Sequence, residues 1–109
     1  MITERLRATT AFREGDAHVA VAGEIDYDNA AEFRAALASC LIDGPKCVRL
    51  DLARVQFCDC AGLNVLLEAR GHAIRAGASL AVDRVSPAVG RLFQLTRTAP
   101  LFQPSTQPR

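Results

Sequence analysis

The chain has no long apolar run, no excess of one charge and no paired C-x-x-C spacing, and neither of its two histidines neighbours a cysteine. Each lack excludes a class of function. A helix needs about 20 apolar residues to cross a bilayer, and no such stretch is present. The formal net charge is +1, with acids and bases interspersed, so there is no basic footprint for nucleic acid or an anionic membrane. No nucleic-acid and no membrane partner is expected. Met1 to Arg7 mixes charges among its few apolar residues and lacks the apolar core of a signal peptide, so the chain reads as cytoplasmic. In that reducing compartment Cys40, Cys47, Cys58 and Cys60 are expected as free thiols. A C-x-C pair alone is not the spacing of a structural zinc site, and neither a metal nor another cofactor is expected.

What is present is one domain's worth of core. A chain of 109 residues buries roughly two-thirds of the surface that it exposes when unfolded, and half of its residues are apolar. There are no internal repeats. Leu6, Ala8 and Phe12 fall on alternate residues before the turn residues Arg13 to Asp16, which predicts a first strand and a hairpin. Val19, Val21 and Ile25 share one parity, giving a second strand over His18 to Ala22 that leaves the sheet at Gly23. Asn29 and Glu32 have the spacing of a capping box. The predicted helix runs from Ala30 to about Leu41, with Ala30, Phe33, Leu37 and Cys40 or Leu41 inward, and Asp43-Gly44-Pro45 ends it.

Val48, Leu50 and Leu52 alternate on a third strand that Val55 and Phe57 prolong. A second helix follows, with Leu63, Leu66, Leu67, Arg70 and Ile74 as its stripe and Gly77 as its end; Gly71 is placed there to admit a neighbour. Ser79 to Val82 is a fourth strand, and Ser86-Pro87 caps a third helix carrying Val89, Leu92, Phe93 and Thr96. The proline-rich polar segment 103–109 is expected to be a disordered tail after a domain spanning 1–102. The fold class is α/β: a mixed four- to five-stranded sheet with helices mainly on one face and right-handed crossovers between parallel strands.

Phe57-Cys58-Asp59-Cys60-Ala61-Gly62-Leu63 is the pivot, because a strand ends and a helix begins within it. The N–H groups of a helix start lack intrahelical partners and carry a partial positive charge. Sites in such sheets gather where strands end and helices begin, so this stretch and Asp26 are expected on one edge. His18 and His72 read as surface or half-buried residues, Asp51 as a solvated or hydrogen-bonding one, and Ser86 as a helix cap rather than a phosphosite.

Gly23-Glu24-Ile25-Asp26, Asp51-Leu52, Phe57 to Leu63, and Ser86-Pro87-Ala88-Val89 with Leu92-Phe93 together resemble the STAS domain of bacterial anti-sigma factor antagonists. The likeness runs in order and spacing from about residue 4 to 102. It implies a regulatory module, not an enzyme, that binds an anti-sigma factor which is also a serine kinase and thereby controls transcription. In that family the kinase phosphorylates a serine in an Asp-Ser-Ser/Ala-Gly segment to release itself. Here Asp59 matches the aspartate, Gly62 the glycine and Asp26 the acid of the neighbouring loop, while the acceptor position holds Cys60 and the next residue is Ala61.

The resemblance therefore implies a docking surface of Asp26, Asp28, Asn29, Asp59, Cys60, Ala61, Gly62, Leu63 and Asn64, without the usual phospho-switch. Gly62 is expected to let the partner's backbone approach closely. The alternative is a thiol-based redox sensor using Cys60, or Cys58 with Cys60. A helix N-terminus favours the Cys60 thiolate, whereas adjacent Asp59 opposes it, and Cys58 and Cys60 lie near the upper limit of Cα separation for a disulfide if the strand is extended. A thiol enzyme is disfavoured, since no histidine or lysine is placed by sequence to act as base for Cys60. Two further departures are a C-terminus shortened to Leu101-Phe102 after the third helix and Arg97 in place of a frequent glycine. The first leaves the end of the core shorter or covered by a partner. Assembly as a homodimer is left open.

Overall fold

The computed structural model describes residues 5–103. The tail expected over 103–109 lies, from residue 104 on, outside the described residues. The chain runs β1 (Leu6–Arg13), β2 (Asp16–Ile25), α1 (Ala30–Ile42), β3 (Cys47–Cys58), α2 (Cys60–Arg75), β4 (Ser79–Val85), α3 (Pro87–Thr96) and a 3-10 turn (Ala99–Phe102). The four strands lie in sequence order, β1-β2-β3-β4. β1 is antiparallel to β2, and the β2–β3 and β3–β4 pairs are parallel. The expected α/β class and mixed sheet are thus present.

Alternation decides which face of the sheet is covered. Leu6, Ala8, Ala17, Val19, Val21, Val48, Leu50, Leu52, Leu80 and Val82 point into one core, which Phe33 and Leu37 of α1, Leu63 and Leu66 of α2, and Val89 and Phe93 of α3 complete. Arg34 Nε of α1 donates to Glu68 Oε1 of α2 at 2.6 Å, pairing the two helices at their solvent edge. The opposite parity faces outward, where Arg49 forms a two-point pair with Asp83 at 2.8 and 3.0 Å. Asp51 accepts from the Ala53 N–H at 3.0 Å, in keeping with its hydrogen-bonding reading.

Several expectations change. β2 continues through Gly23 and Glu24 to Ile25, because Gly23 takes a φ of 106° and a Cβ there would fall 2.1 Å from the Arg5 carbonyl oxygen. β3 holds one extra residue between the pairs Ala20↔Asp51 and Ala22↔Arg54, and another between Gly23↔Val55 and Glu24↔Phe57. Each bulge shifts the side-chain parity. Val55 and Cys58 therefore point inward while Phe57, expected inside, is half exposed. Phe12 is likewise exposed.

In α1 the buried stripe is Ala30, Phe33, Leu37 and Cys40, with Leu41 at its margin. In α2 the stripe rotates toward small residues: Ala69 and Ala73 are buried, Leu67 packs at the edge and Ile74 is exposed. Arg70 Nε donates to the Leu101 carbonyl at 3.0 Å. Gly71 admits no packed neighbour, since an added Cβ would meet only the Arg75 guanidinium, at 3.5 Å. At the C-terminal end Arg97 itself takes the left-handed conformation, φ 59°, that ends α3. The following turn buries Phe102 and stacks it on Phe93 with ring centroids 5.0 Å apart, so the chain covers the end of its own core.

Candidate functional site

Parallel pairing brings the ends of β2 and β3 to one edge, with Ile25 opposite Cys58. The Asp59 N–H donates to the Ile25 carbonyl at 3.2 Å and so holds the two chain exits together. Asp59 is extended, φ −99° and ψ −173°, and caps α2: its Oδ1 accepts from the N–H groups of Ala61 at 2.9 Å and Gly62 at 3.2 Å. Two of the orphan donors at the helix start are thereby satisfied from within. Cys60 is the first residue of α2 and is exposed.

Cys58 is buried beneath this turn. Desolvation, with Asp59 and Cys60 adding to it, pushes its thiol up to about 12, so it stays protonated at neutral pH. Its Sγ lies where a Cβ on Gly62 would come within 2.6 Å, and Ile25 Cγ2 would lie at 2.8 Å. Gly62 thus serves packing between α2 and the ends of β2 and β3. It is buried, as is Leu63, and neither presents a side chain to a partner. Ala61 is half-buried and Asn64 exposed.

The second loop is organised by charge and by two amide contacts. Asp26 forms a two-point pair with Arg5: Nη1 donates to Oδ2, and Nη2 donates to Oδ1 at 3.1 Å. Hydrogen bonding to Arg5 holds the Asp26 carboxyl below its ordinary value, against a smaller opposing effect of burial and with help from the Asn29 N–H. Oδ1 also accepts from the Asp28 N–H at 3.0 Å. Arg5 reaches Glu24 Oε1 as well, at 3.2 Å.

Asn29 does not form the expected capping box. Its side chain makes no cap hydrogen bond to α1; Oδ1 instead accepts from the Asp26 N–H at 2.9 Å and Nδ2 donates to the Glu24 carbonyl at 2.8 Å. Both amide functions are spent across the loop, and the residue is buried. Asp28 and the neighbouring Tyr27, the latter 83% exposed, are left at the surface.

The structure brings Asp26, Asp28, Asp59, Cys60, Ala61 and Asn64 to one edge, with Asn29, Gly62 and Leu63 beneath it. Arg5 and Tyr27 are the residues that sequence reading missed. For Arg5 the signal is hairpin register: Leu6 opposite Gly23 sets the preceding residue beside Glu24. Of the four cysteines, all free, Cys60 alone is exposed.

A two-stranded hairpin thus opens a parallel β-α-β-α-β succession, with the capped start of α2 at the sheet edge. The chain belongs to the STAS domain family: the profile described as "Mlab, STAS domain" matches residues 8–102. An anti-sigma factor antagonist from Mycobacterium paratuberculosis is similar, with 25% identity and a TM-score of 0.80 over 93% of this chain and 87% of that one. The unphosphorylated anti-sigma factor antagonist SpoIIAA has the same fold at 17% identity and a TM-score of 0.75, over 93% and 90% of the two chains. So does the phosphorylated Bacillus cell fate determinant SpoIIAA, at 16% identity and a TM-score of 0.69 over 93% of each chain. No curated protein sequence matches significantly.

Proposed function

We propose that this STAS domain is a protein-binding module that docks on an anti-sigma factor or related serine kinase through the edge formed by Asp26 to Asp28 and by Asp59 to Asn64, and so controls transcription. The observation that carries this reading is the exposed first turn of α2, capped by Asp59 and led by Cys60. The chain's likeness to anti-sigma factor antagonists, one of which, SpoIIAA, exists in a phosphorylated form, supports the choice of partner. Cys60 stands at the acceptor position and Ala61 follows it, so a serine kinase has no hydroxyl to act on in this turn. The release that a phosphate would cause, by adding about −1.5 to −2 charges at the contact, is absent. The module binds without that off-switch and is not itself an enzyme.

A cognate kinase with ATP provides the test. The native protein is expected to bind it and to acquire no phosphate on Cys60. Cys60→Ser is expected to bind, to become phosphorylated at that residue and then to dissociate. Phosphate on Cys60, or transfer elsewhere that abolishes binding, overturns the reading. The redox alternative through a Cys58–Cys60 pair is disfavoured by the burial and raised thiol of Cys58. It would be supported by peroxide-dependent loss of Cys60 with change in kinase binding.

A further inference from the structure

The outer face of the sheet carries a second feature, which meets the β2–α1 loop at Arg5 and Glu24. Arg7 on β1 pairs in register with Ala22 on β2, and Ala22 pairs with Arg54 on β3. The three residues form one row across three strands, so the two arginine Cα atoms lie about 10 Å apart with a methyl group between them. Both arginines are exposed. Neither has an ion-pair partner among the described residues, whereas Arg5, Arg34, Arg49 and Arg84 all do.

This row floors a cleft of about 860 Å³. Ala53 extends its apolar lining, and the first turn of α3, Ser86 to Ala88, closes one side. The acid in the lining, Glu24, is already engaged by Arg5. Two uncompensated guanidinium groups thus overlook a small-residue floor inside a concave surface.

We propose that this cleft binds a small phosphate-bearing ligand, its phosphate seated over Ala22 between Arg7 and Arg54. A tetrahedral dianion presents enough acceptor oxygens to engage two guanidinium forks at once, which one carboxylate does less completely. The short Ala22 side chain lets the anion approach the sheet, and the long arginine side chains close over it from either flank. The helix dipole of α3 adds partial positive charge at the third wall, while the Val89 N–H there is already taken by Ser86 Oγ at 3.2 Å. The apolar lining accommodates an uncharged body attached to the phosphate.

Calorimetric titration of the full chain with inorganic pyrophosphate tests this. Saturable binding is expected, weakened about tenfold by Arg7→Gln and about tenfold by Arg54→Gln, and unchanged by Arg91→Gln on the exposed side of α3. Amide NMR shifts at Ala22 and Ala88 should follow the same isotherm. Because Arg7 and Arg54 are exposed and make no ion pair among the described residues, their variants should keep the native circular dichroism spectrum, and a spectrum matching the native one is the condition for reading affinity. Absence of saturable binding at about 5 mM, an affinity weaker than any useful site, overturns the proposal. So does equal affinity in the double variant, or selective binding of a tetraglutamate peptide in place of pyrophosphate.

Discussion

A single arginine decides the shape of the β2–α1 loop. Arg5 pairs with Asp26 while Asp26 Oδ1 gathers the N–H groups of Asp28 and Asn29, so the carboxylate works inward as well as outward. A folded-state carboxyl held below its unfolded value contributes order that is complete above the unfolded value and is lost as pH falls through the folded one. For Asp26 that window lies below its ordinary 3.8. The amide shifts of Asp28 and Asn29 should therefore hold steady from pH 7 to about 4 and move only beneath it. In Asp26→Asn they should already be displaced at pH 7. A midpoint at or above 3.8 in the native protein would show that the Arg5 pair does not hold the loop. The same pairing, shared with Glu24, means that Asp26 is engaged within the fold and that Asp28 is the freer acid of the loop.

At the scale of one element, α2 contains two glycines with opposite meaning. A Cβ at Gly62 collides with Cys58 Sγ and Ile25 Cγ2, whereas at Gly71 it touches only the movable end of Arg75. Gly62→Ala should destabilise the fold by about 1–3 kcal/mol through overpacking. Gly71→Ala should stabilise it by up to about 1 kcal/mol through helix propensity. Urea unfolding of the two variants checks the contrast, and a like effect at both sites would contradict it. Sequence made α2 legible as a helix, with Leu63 and Leu66 inward. It did not show that Ala69 and Ala73 rather than Ile74 complete the stripe, because small residues carry little hydrophobic signal yet suit a close approach. β3 was legible where it alternates regularly, at Val48, Leu50 and Leu52. Beyond them two bulges reset its parity, and nothing in the local pattern marks a bulge set by the neighbouring strand. Asn29 misled for a related reason: its spacing to Glu32 suits a cap, but the amide finds two better partners across the loop.

Across the whole molecule, parallel pairing of β2 with β3 explains why residues some 30 positions apart in sequence share one edge, and strand-helix alternation made that edge readable in advance. The left-handed Arg97 and the Phe102 turn are what the alternation could not convey, since one depends on a backbone conformation that arginine seldom adopts and the other on a single aromatic returning to the core. The molecule thus presents the proposed docking edge at the strand ends, an arginine-bearing cleft on the open face, and a core closed by its own last aromatic.

The contact between Cys58 and Gly62 also makes the protein its own clock. A buried thiol reacts with an alkylating reagent only when the segment covering it opens. Mass mapping of peptides after timed alkylation should find Cys60 modified at once and Cys58 slowly, at a rate set by how often the start of α2 lifts from the strand ends. A ligand that clamps that edge should slow the second reaction in proportion to its occupancy, and one seated in the cleft of Arg7 and Arg54 should leave it unchanged. Equal rates at the two thiols would mean that the turn opens freely. One slow-reacting sulfur thereby reports which face of the domain a ligand has chosen.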